Sequence, residues 1–243
     1  MPETMSNQVS AVSIVIPARN EALRLPSSIR AMRAAFPFEE WEFLVIVEKS
    51  EDGTAELARE AAGGDLRFEI VENSVARGKG YAVKSGMLRA RGDWIFFMDA
   101  DLSVPLGFVR RFLEQAEGAD VLIGSRRHPD SVVPVRQPLA REAAGRVFNY
   151  ALRGLGITRI ADTQCGFKAF TREAAREVFS RVEQDGFGFD VEALLIAEML
   201  GLRLRELPVE WSDVKGSKVS PLNGFFALRD AVLAARRLRR KDR

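Results

Sequence analysis

A single cysteine, Cys165, among 243 residues leaves no partner for an intramolecular disulfide and rules out a multi-cysteine zinc site. A single histidine, His128, rules out a histidine-rich metal site, and a Ser-His-Asp triad would have to recruit that residue. No apolar run reaches the ~18 residues that a membrane-spanning helix needs. Met1–Ser10 is polar and unlike a signal peptide. The expectation is a cytoplasmic chain that does not cross a membrane by itself. Charge of one sign is also scarce: 36 Lys and Arg stand against 34 Asp and Glu, a net charge of +2. That argues against a dedicated nucleic-acid binder, which would carry a strongly basic face. There is no internal repeat and no low-complexity block.

What is present is the profile of an ordinary globular protein, 47% hydrophobic and 29% charged. The length fits one large domain or a domain with an appended subdomain. Short apolar runs read as buried strands at Val12–Ile16, Phe43–Val47, Leu66–Val71, Trp94–Met98 and Ala119–Gly124. Between them, helical spacing covers Glu21–Phe36, Thr54–Ala62, Gly80–Ala90 and Leu106–Glu117. Strands alternating with helices at this interval predict an α/β fold, a Rossmann-like, mostly parallel sheet with helices on both faces. The pattern then changes. Arg126–Pro138 holds three prolines and reads as a mobile loop. Leu139–Leu155 is helical, and Thr158–Phe170 mixes short strand and loop. Thr171–Arg181 and Asp190–Leu200 read as helices, Leu202–Pro208 as an edge-like strand, Val214–Val219 as a Gly/Ser/Lys loop, and Phe225–Arg239 as an amphipathic helix.

In parallel α/β sheets, ligands sit beyond the carboxyl ends of the strands, near the switch point. Three polar segments fall there: Pro17-Ala18-Arg19-Asn20-Glu21, Glu48-Lys49-Ser50-Glu51-Asp52-Gly53-Thr54, and Asp99-Ala100-Asp101. The last is the sharpest. An apolar strand runs straight into two carboxylates one residue apart, and hard divalent cations shared with substrate phosphates take such oxygen ligands. The alternative is one helix-capping and one solvated aspartate. Arg77-Gly78-Lys79-Gly80 precedes a helix whose start is free to hold an anion, or it is a turn with cap glycines. It lacks the order of a P-loop, and no G-x-G-x-x-G follows the first strand, which disfavours a nicotinamide dehydrogenase. Ser125-Arg126-Arg127 and Ser217-Lys218 could add charge-assisted bonds to phosphates, or stand as solvated charges.

The ordered set P-x-x-N-E, S-x-D-G-T, R-G-K-G, D-A-D-L and G-S-R resembles family-2 glycosyltransferases. Asp162–Lys168 and Phe189-Asp190-Val191-Glu192 narrow the resemblance to polyprenyl- and dolichyl-phosphate sugar synthases, above all the dolichyl-phosphate glucosyltransferase-like branch. The likeness covers about Val12 to Lys218. It implies a GT-A-type fold and an inverting transfer of a hexose from a nucleotide sugar, of UDP-glucose or GDP-mannose type, to a polyprenyl or dolichyl phosphate. By the resemblance, Pro17, Ala18, Glu21, Glu48, Lys79, Asp99 and Ala100 line the nucleotide-sugar site, and Asp99 and Asp101 hold Mg²⁺ or Mn²⁺. Arg126 and Lys218 meet phosphates, and Asp162, Gln164, Asp190 and Glu192 face the acceptor. The family's usual D-D-G-S is replaced here by Val47-Glu48-Lys49-Ser50, which leaves the nucleotide open.

The domain expectation is a flexible tail over 1–10, a catalytic domain over 11–220 with a nucleotide half to about 125 and an acceptor half from 126, and a basic amphipathic helix over 221–243. A polyprenyl phosphate acceptor is already ionised, so positioning and electrostatics suffice. A hydroxyl acceptor would need a base, Asp190 or Glu192. Phe225, Leu228, Val232, Ala235 and Leu238 share one face of the final helix, beside many arginines. That helix either rests on the inner face of a membrane or packs on its own domain. The rivals are a soluble transferase acting on a small molecule or glycan, a metal-dependent nucleotidyltransferase and an inactive nucleotide-binding scaffold.

Overall fold

The computed structural model describes residues 11–214 and 221–241. The expected tail, the loop carrying Lys218 and the Phe225 side chain lie outside the described residues. The strands are β1 (Val12–Ala18), β2 (Glu42–Glu48), β3 (Phe68–Asn73), β4 (Trp94–Met98), β5 (Val121–Ser125), β6 (Phe167–Thr171) and β7 (Leu204–Pro208). The helices are α1 (Leu25–Ala35), α2 (Thr54–Ala62), α3 (Lys79–Arg89), α4 (Phe108–Leu113), α5 (Leu139–Gly154), α6 (Arg172–Arg181), α7 (Phe189–Met199) and α8 (Pro221–Lys241). One seven-stranded sheet has the order β3-β2-β1-β4-β6-β5-β7. β3, β2, β1 and β4 run parallel, β7 is parallel to β5, and β6 is antiparallel to both of its neighbours. The mostly parallel α/β sheet with helices on both faces is the expected architecture. The exception is the stretch that read as mixed strand and loop: its strand fills the gap between β4 and β5.

Alternation along the strands divides the core in two. Ile14, Ile16, Phe43, Val45, Val47 and Phe96 face α1, α2 and α4. Val15, Leu44, Ile46, Ile95 and Phe97 face α3 and the later helices. α7 is buried from Phe189 to Ala197, including the paired Asp190 and Glu192, and its weakly sided hydrophobic pattern marks an internal helix.

Several boundaries move for local reasons. α1 starts at Leu25 rather than Glu21, because the Glu21 carbonyl first accepts from Arg24 and Leu25 in a turn. β3 starts at Phe68 because Asp65–Arg67 form a turn held by Asp65 side-chain bonds to Arg67. α4 is shorter than expected, and turns flank it. The loop 126–138, expected to be mobile, is pinned. Ser131 Oγ donates to the Ser125 carbonyl at 2.6 Å, and backbone bonds tie Val132 to Val209 and Trp211. The final helix buries Ala231, Ala235 and Leu238 in the core beside α5 and α7. Among the described side chains, that face is therefore packed on its own domain, the second of the two expected alternatives.

α3 lies close on the sheet because Gly86 has no side chain. A Cβ there would sit 2.3 Å from Val15 Cγ1 and 3.1 Å from Ile46 Cγ1, both on buried strands. Gly86→Ala is expected to destabilise the fold by about 1–3 kcal/mol through overpacking. The check is a lowered urea midpoint at unchanged slope.

Candidate active site

β1 is the switch point: the chain winds outward to β2 and β3 on one side, then crosses to β4 on the other. The three polar segments leave the carboxyl ends of β1, β2 and β4 as neighbours, and their motif residues interlock. Asn20, left-handed at φ 52°, donates its N–H to Ser50 Oγ at 2.9 Å and accepts from Glu51 N–H at 3.0 Å. Glu21 N–H donates to Thr54 Oγ1 at 2.8 Å, and Ala22 N–H to Asp52 at 3.0 Å. Ser28 Oγ in α1 donates to the Ala100 carbonyl at 2.6 Å, joining the third segment. P-x-x-N-E and S-x-D-G-T are thus two halves of one clasp. Glu21 itself forks onto Arg24 at 2.7 and 2.8 Å. Val47 points into the core, Lys49 is exposed, and only buried Glu48 of that departure faces the site segments. Glu48 Oε2 accepts the Gly78 N–H at 2.6 Å, while its Oε1 is buried without a hydrogen-bond partner. The facing residue on β3, Asn73, likewise has an unpartnered buried amide nitrogen.

Asp99 is partly exposed at the end of β4. Its Oδ1 meets Lys79 Nζ at 2.6 Å. Burial works against the Lys79 charge, but Asp99 and Asp190 outweigh it and hold its pKa above the ordinary lysine value. A Cβ at Gly166 would fall 2.0 Å from Asp99 Oδ2, so the glycine leaves room for the carboxylate. Asp101 is drawn inward, with Oδ1 accepting from Ser103 N–H at 3.0 Å and Ser103 Oγ at 2.6 Å. Burial first, then the Asp99 charge, push the Asp101 carboxyl up. Between Asp101 and Ser103 the chain turns through Leu102 at φ 53°, a strained conformation for a bulky residue. A small cavity beside Asp99 is lined by Leu102, Ser103, Gly166, Phe167 and Trp211.

On the other side, Arg126 and Asp162 form a buried fork. Arg126 Nε and Nη2 donate at 2.7 and 2.8 Å, and its backbone N–H adds 3.0 Å. Burial alone would raise the Asp162 carboxyl; Arg126 overcomes this and lowers it to about 2. The guanidinium carbon lies 5.3 Å from the Trp211 ring centroid. Asp162, expected to face the acceptor, is fully buried and acts instead by holding Arg126 and the Gln164 N–H. Gln164 keeps a buried amide nitrogen without a partner. Burial, then Asp162, raise the neighbouring Cys165 thiol to about 12, so it stays protonated and is no nucleophile.

The two candidate bases separate. Asp190 is buried and accepts from Lys168 Nζ at 2.6 Å, which also donates to the Cys165 carbonyl at 2.6 Å. It does not cap α7, whose N-cap is Gly188. Glu192, two residues further on, is buried as well. Its Oε2 accepts from Glu183 and Gln184 N–H at 3.0 and 2.7 Å, and its Oε1 pairs with Arg237 of α8. Those bonds occupy both carboxylate oxygens of Glu192. Lys168 was legible only as part of a motif, and Trp211, in a segment after an edge strand, carried no sequence signal.

The Arg126–Asp162 pair sets an acid limit on stability. Asp162 has its pKa depressed in the fold, so its contribution is present above about pH 4 and lost as the pH falls towards 2. The size follows from roughly two pKa units, about 2–3 kcal/mol. Urea midpoints between pH 5 and pH 2 should show that decline, and Asp162→Asn should remove this part of the slope. Arg126→Ala, which strands the carboxylate, should cost about 3–5 kcal/mol at pH 7.

A family model described as glycosyl transferase family 2 matches residues 13–179. The Drosophila melanogaster dolichyl-phosphate beta-glucosyltransferase is 33% identical over 232 residues, covering 86% of this chain and 69% of that protein. The Dictyostelium discoideum protein of the same name is 30% identical over 93% of this chain and 73% of its own. Among solved structures, glucosyl-3-phosphoglycerate synthase from Mycobacterium tuberculosis in complex with UDP superposes at a TM-score of 0.70, with 19% identity over 93% of this chain and 80% of that one. The same synthase with Mn²⁺, UDP and phosphoglyceric acid gives a TM-score of 0.67 at 20% identity, covering 93% of this chain and 77% of its own. The sheet, its crossovers and the ordered motifs agree with these likenesses, and the chain belongs to glycosyl transferase family 2.

Proposed function

We propose that this chain is an inverting, metal-dependent glycosyltransferase that takes a hexose from a UDP-sugar. The observation that carries the reading is Asp99 at the carboxyl end of β4, beside the switch point, with a cation 2.6 Å from one carboxylate oxygen. The Lys79 ammonium at this oxygen supports a place for positive charge there. Among the described residues no group of three or more His, Cys, Asp or Glu side chains could hold an ion by itself. Two carboxylates, Asp99 and Asp101, suit Mg²⁺ or Mn²⁺, which complete their shells with substrate phosphates and water. A bound ion would neutralise charge on the departing diphosphate. Lys79 adds a second positive charge on the same side. Glu48 Oε1 and Asn73 Nδ2, an acceptor and a donor left open at adjacent strand ends, are complementary to the N3–H and a carbonyl of uracil.

Two acceptor readings follow from different observations. The dolichyl-phosphate relatives support a polyprenyl phosphate. Asp190 is held by Lys168 Nζ at 2.6 Å, and an ionised phosphate oxygen needs no base. The superposition on a synthase solved with phosphoglyceric acid supports a small soluble acceptor. On that reading Asp190 would have to exchange its bond to Lys168 for one to a hydroxyl.

UDP release from UDP-glucose with Mn²⁺, measured with undecaprenyl phosphate and separately with 3-phosphoglycerate, tests both readings. Release should stop with EDTA and rise with one acceptor. Asp99→Asn should lower turnover by about 10²–10³-fold with unchanged circular dichroism. Gly166→Ala, which pushes on the same carboxylate, should share the defect. Full turnover in Asp99→Asn, or no UDP release from the wild type under any condition, would overturn the assignment.

A further inference from the structure

Glu192 is fully buried, and the proposed reaction gives it no role. A buried carboxylate is costly unless its oxygens are bonded, so its partners show what its charge is spent on. Oε2 accepts the backbone N–H of Glu183 at 3.0 Å and of Gln184 at 2.7 Å, in the stretch that joins α6 to α7. Oε1 pairs with Arg237 of α8, and Arg237 also pairs with the Glu183 side chain. Every one of these bonds fastens the same short stretch of backbone.

That stretch lies against Arg77-Gly78-Lys79-Gly80 and the first turns of α3. The Asp185 carbonyl accepts the Tyr81 N–H at 3.2 Å. The Asp185 carboxylate accepts from Arg77 Nε at 3.0 Å and Nη2 at 2.7 Å, and the Arg77 guanidinium carbon lies 4.1 Å from the Tyr81 ring centroid. Further along α3, Lys84 Nζ donates to the Val182 carbonyl at 2.6 Å. The approach leaves no room for side chains. A Cβ at Gly78 would fall 2.4 Å from the Asp185 carbonyl oxygen, and one at Gly80 2.4 Å from that of Gln184 and 2.7 Å from Phe189 Cβ. These two glycines flank Lys79, whose ammonium meets Asp99 at 2.6 Å. Residues 182–186 therefore form a shelf for the backbone on either side of Lys79, and Glu192 holds the shelf in place.

We infer that Glu192 and Asp185 are positioning residues for the nucleotide-sugar donor, acting through the shelf on Lys79. The inference rests on the proposed donor site at Lys79 and Asp99. On this view Glu192 serves the donor, not the acceptor that the family resemblance implies for it. A displaced shelf reaches the donor first, through the backbone around Lys79. Its loss should therefore weaken binding of the nucleotide more than it slows reaction of the bound donor.

Amide hydrogen exchange of the full chain, without donor or metal, reads the shelf directly. In Glu192→Gln, which keeps the volume and removes the charge, the Gly78 and Tyr81 amides should exchange about tenfold faster, the scale of coupling between linked sites. Amides of β2 and β4 should not change. Calorimetric titration of the same variant with UDP and Mn²⁺ should give a dissociation constant raised about tenfold, with kcat at saturating UDP-glucose within roughly twofold of wild type. Asp185→Ala removes only the partly exposed ion pair with Arg77. It should weaken UDP binding to a similar degree at an unchanged thermal midpoint, and it decides the matter if Glu192→Gln does not fold. A fall in kcat of Glu192→Gln with UDP affinity unchanged would make Glu192 a base and overturn the inference, as would full UDP affinity in Asp185→Ala. Unchanged exchange at Gly78 and Tyr81 would overturn the inference alone, whereas absence of UDP binding by the wild type would overturn the donor assignment itself.

Discussion

Two carboxylates two residues apart repel each other, and everything at the end of β4 answers to that repulsion. Asp99 is left accessible only because Lys79 stands against it and Gly166 yields the space beside it. Asp101 is turned into the protein and given two donors by Ser103, at the expense of a strained backbone at Leu102. Lys79 in turn depends on the turn that Glu48 holds through Gly78, and on glycines at 78 and 80 that let the segment press against Gln184 and Asp185. A substitution in any of these supports reaches Asp99 without touching it. The site is a balance of charge maintained by several distant elements.

The same logic explains the unusual number of buried charges. Asp162, Lys168, Asp190 and Glu192 are all buried, and each is matched by a partner of opposite charge. Desolvation makes such groups costly when left alone, so removing one partner harms more than removing both. They also define geometry. The Arg126 fork fixes a guanidinium beside Trp211, and the Lys168–Asp190 pair joins β6 to the start of α7. Glu192 ties the loop before α7 to α8.

Much of this was legible from residues alone. The apolar strand that runs into Asp99 placed the carboxylates correctly, because strand burial and the end of a strand are both local signals. The alternation of strands and helices gave the parallel half of the sheet for the same reason. The antiparallel position of β6 was not legible, since a five-residue strand carries no record of which distant neighbours it joins. The arginine partners of Asp162 and Glu192 were not legible, because a carboxylate in a motif reads alike whether it faces a ligand or a buried arginine. Trp211 was missed because its importance lies in what it packs beside.

The insertion of β6 between β4 and β5 also has a bearing on how the chain reaches its native form. β4 ends at residue 98 and β5 at residue 125, but the strand that joins them does not begin until residue 167. During synthesis, the β1–β4 layer can assemble from nearby βαβ units while its β4 edge stays open. β5 emerges with no neighbour at all. Closure of the sheet waits for a pairing across about seventy residues, the kind of distant contact that slows folding. Until it forms, two apolar strands offer unpaired backbone to any other nascent chain. The segment 126–166 therefore sets the length of a vulnerable interval in the life of each molecule.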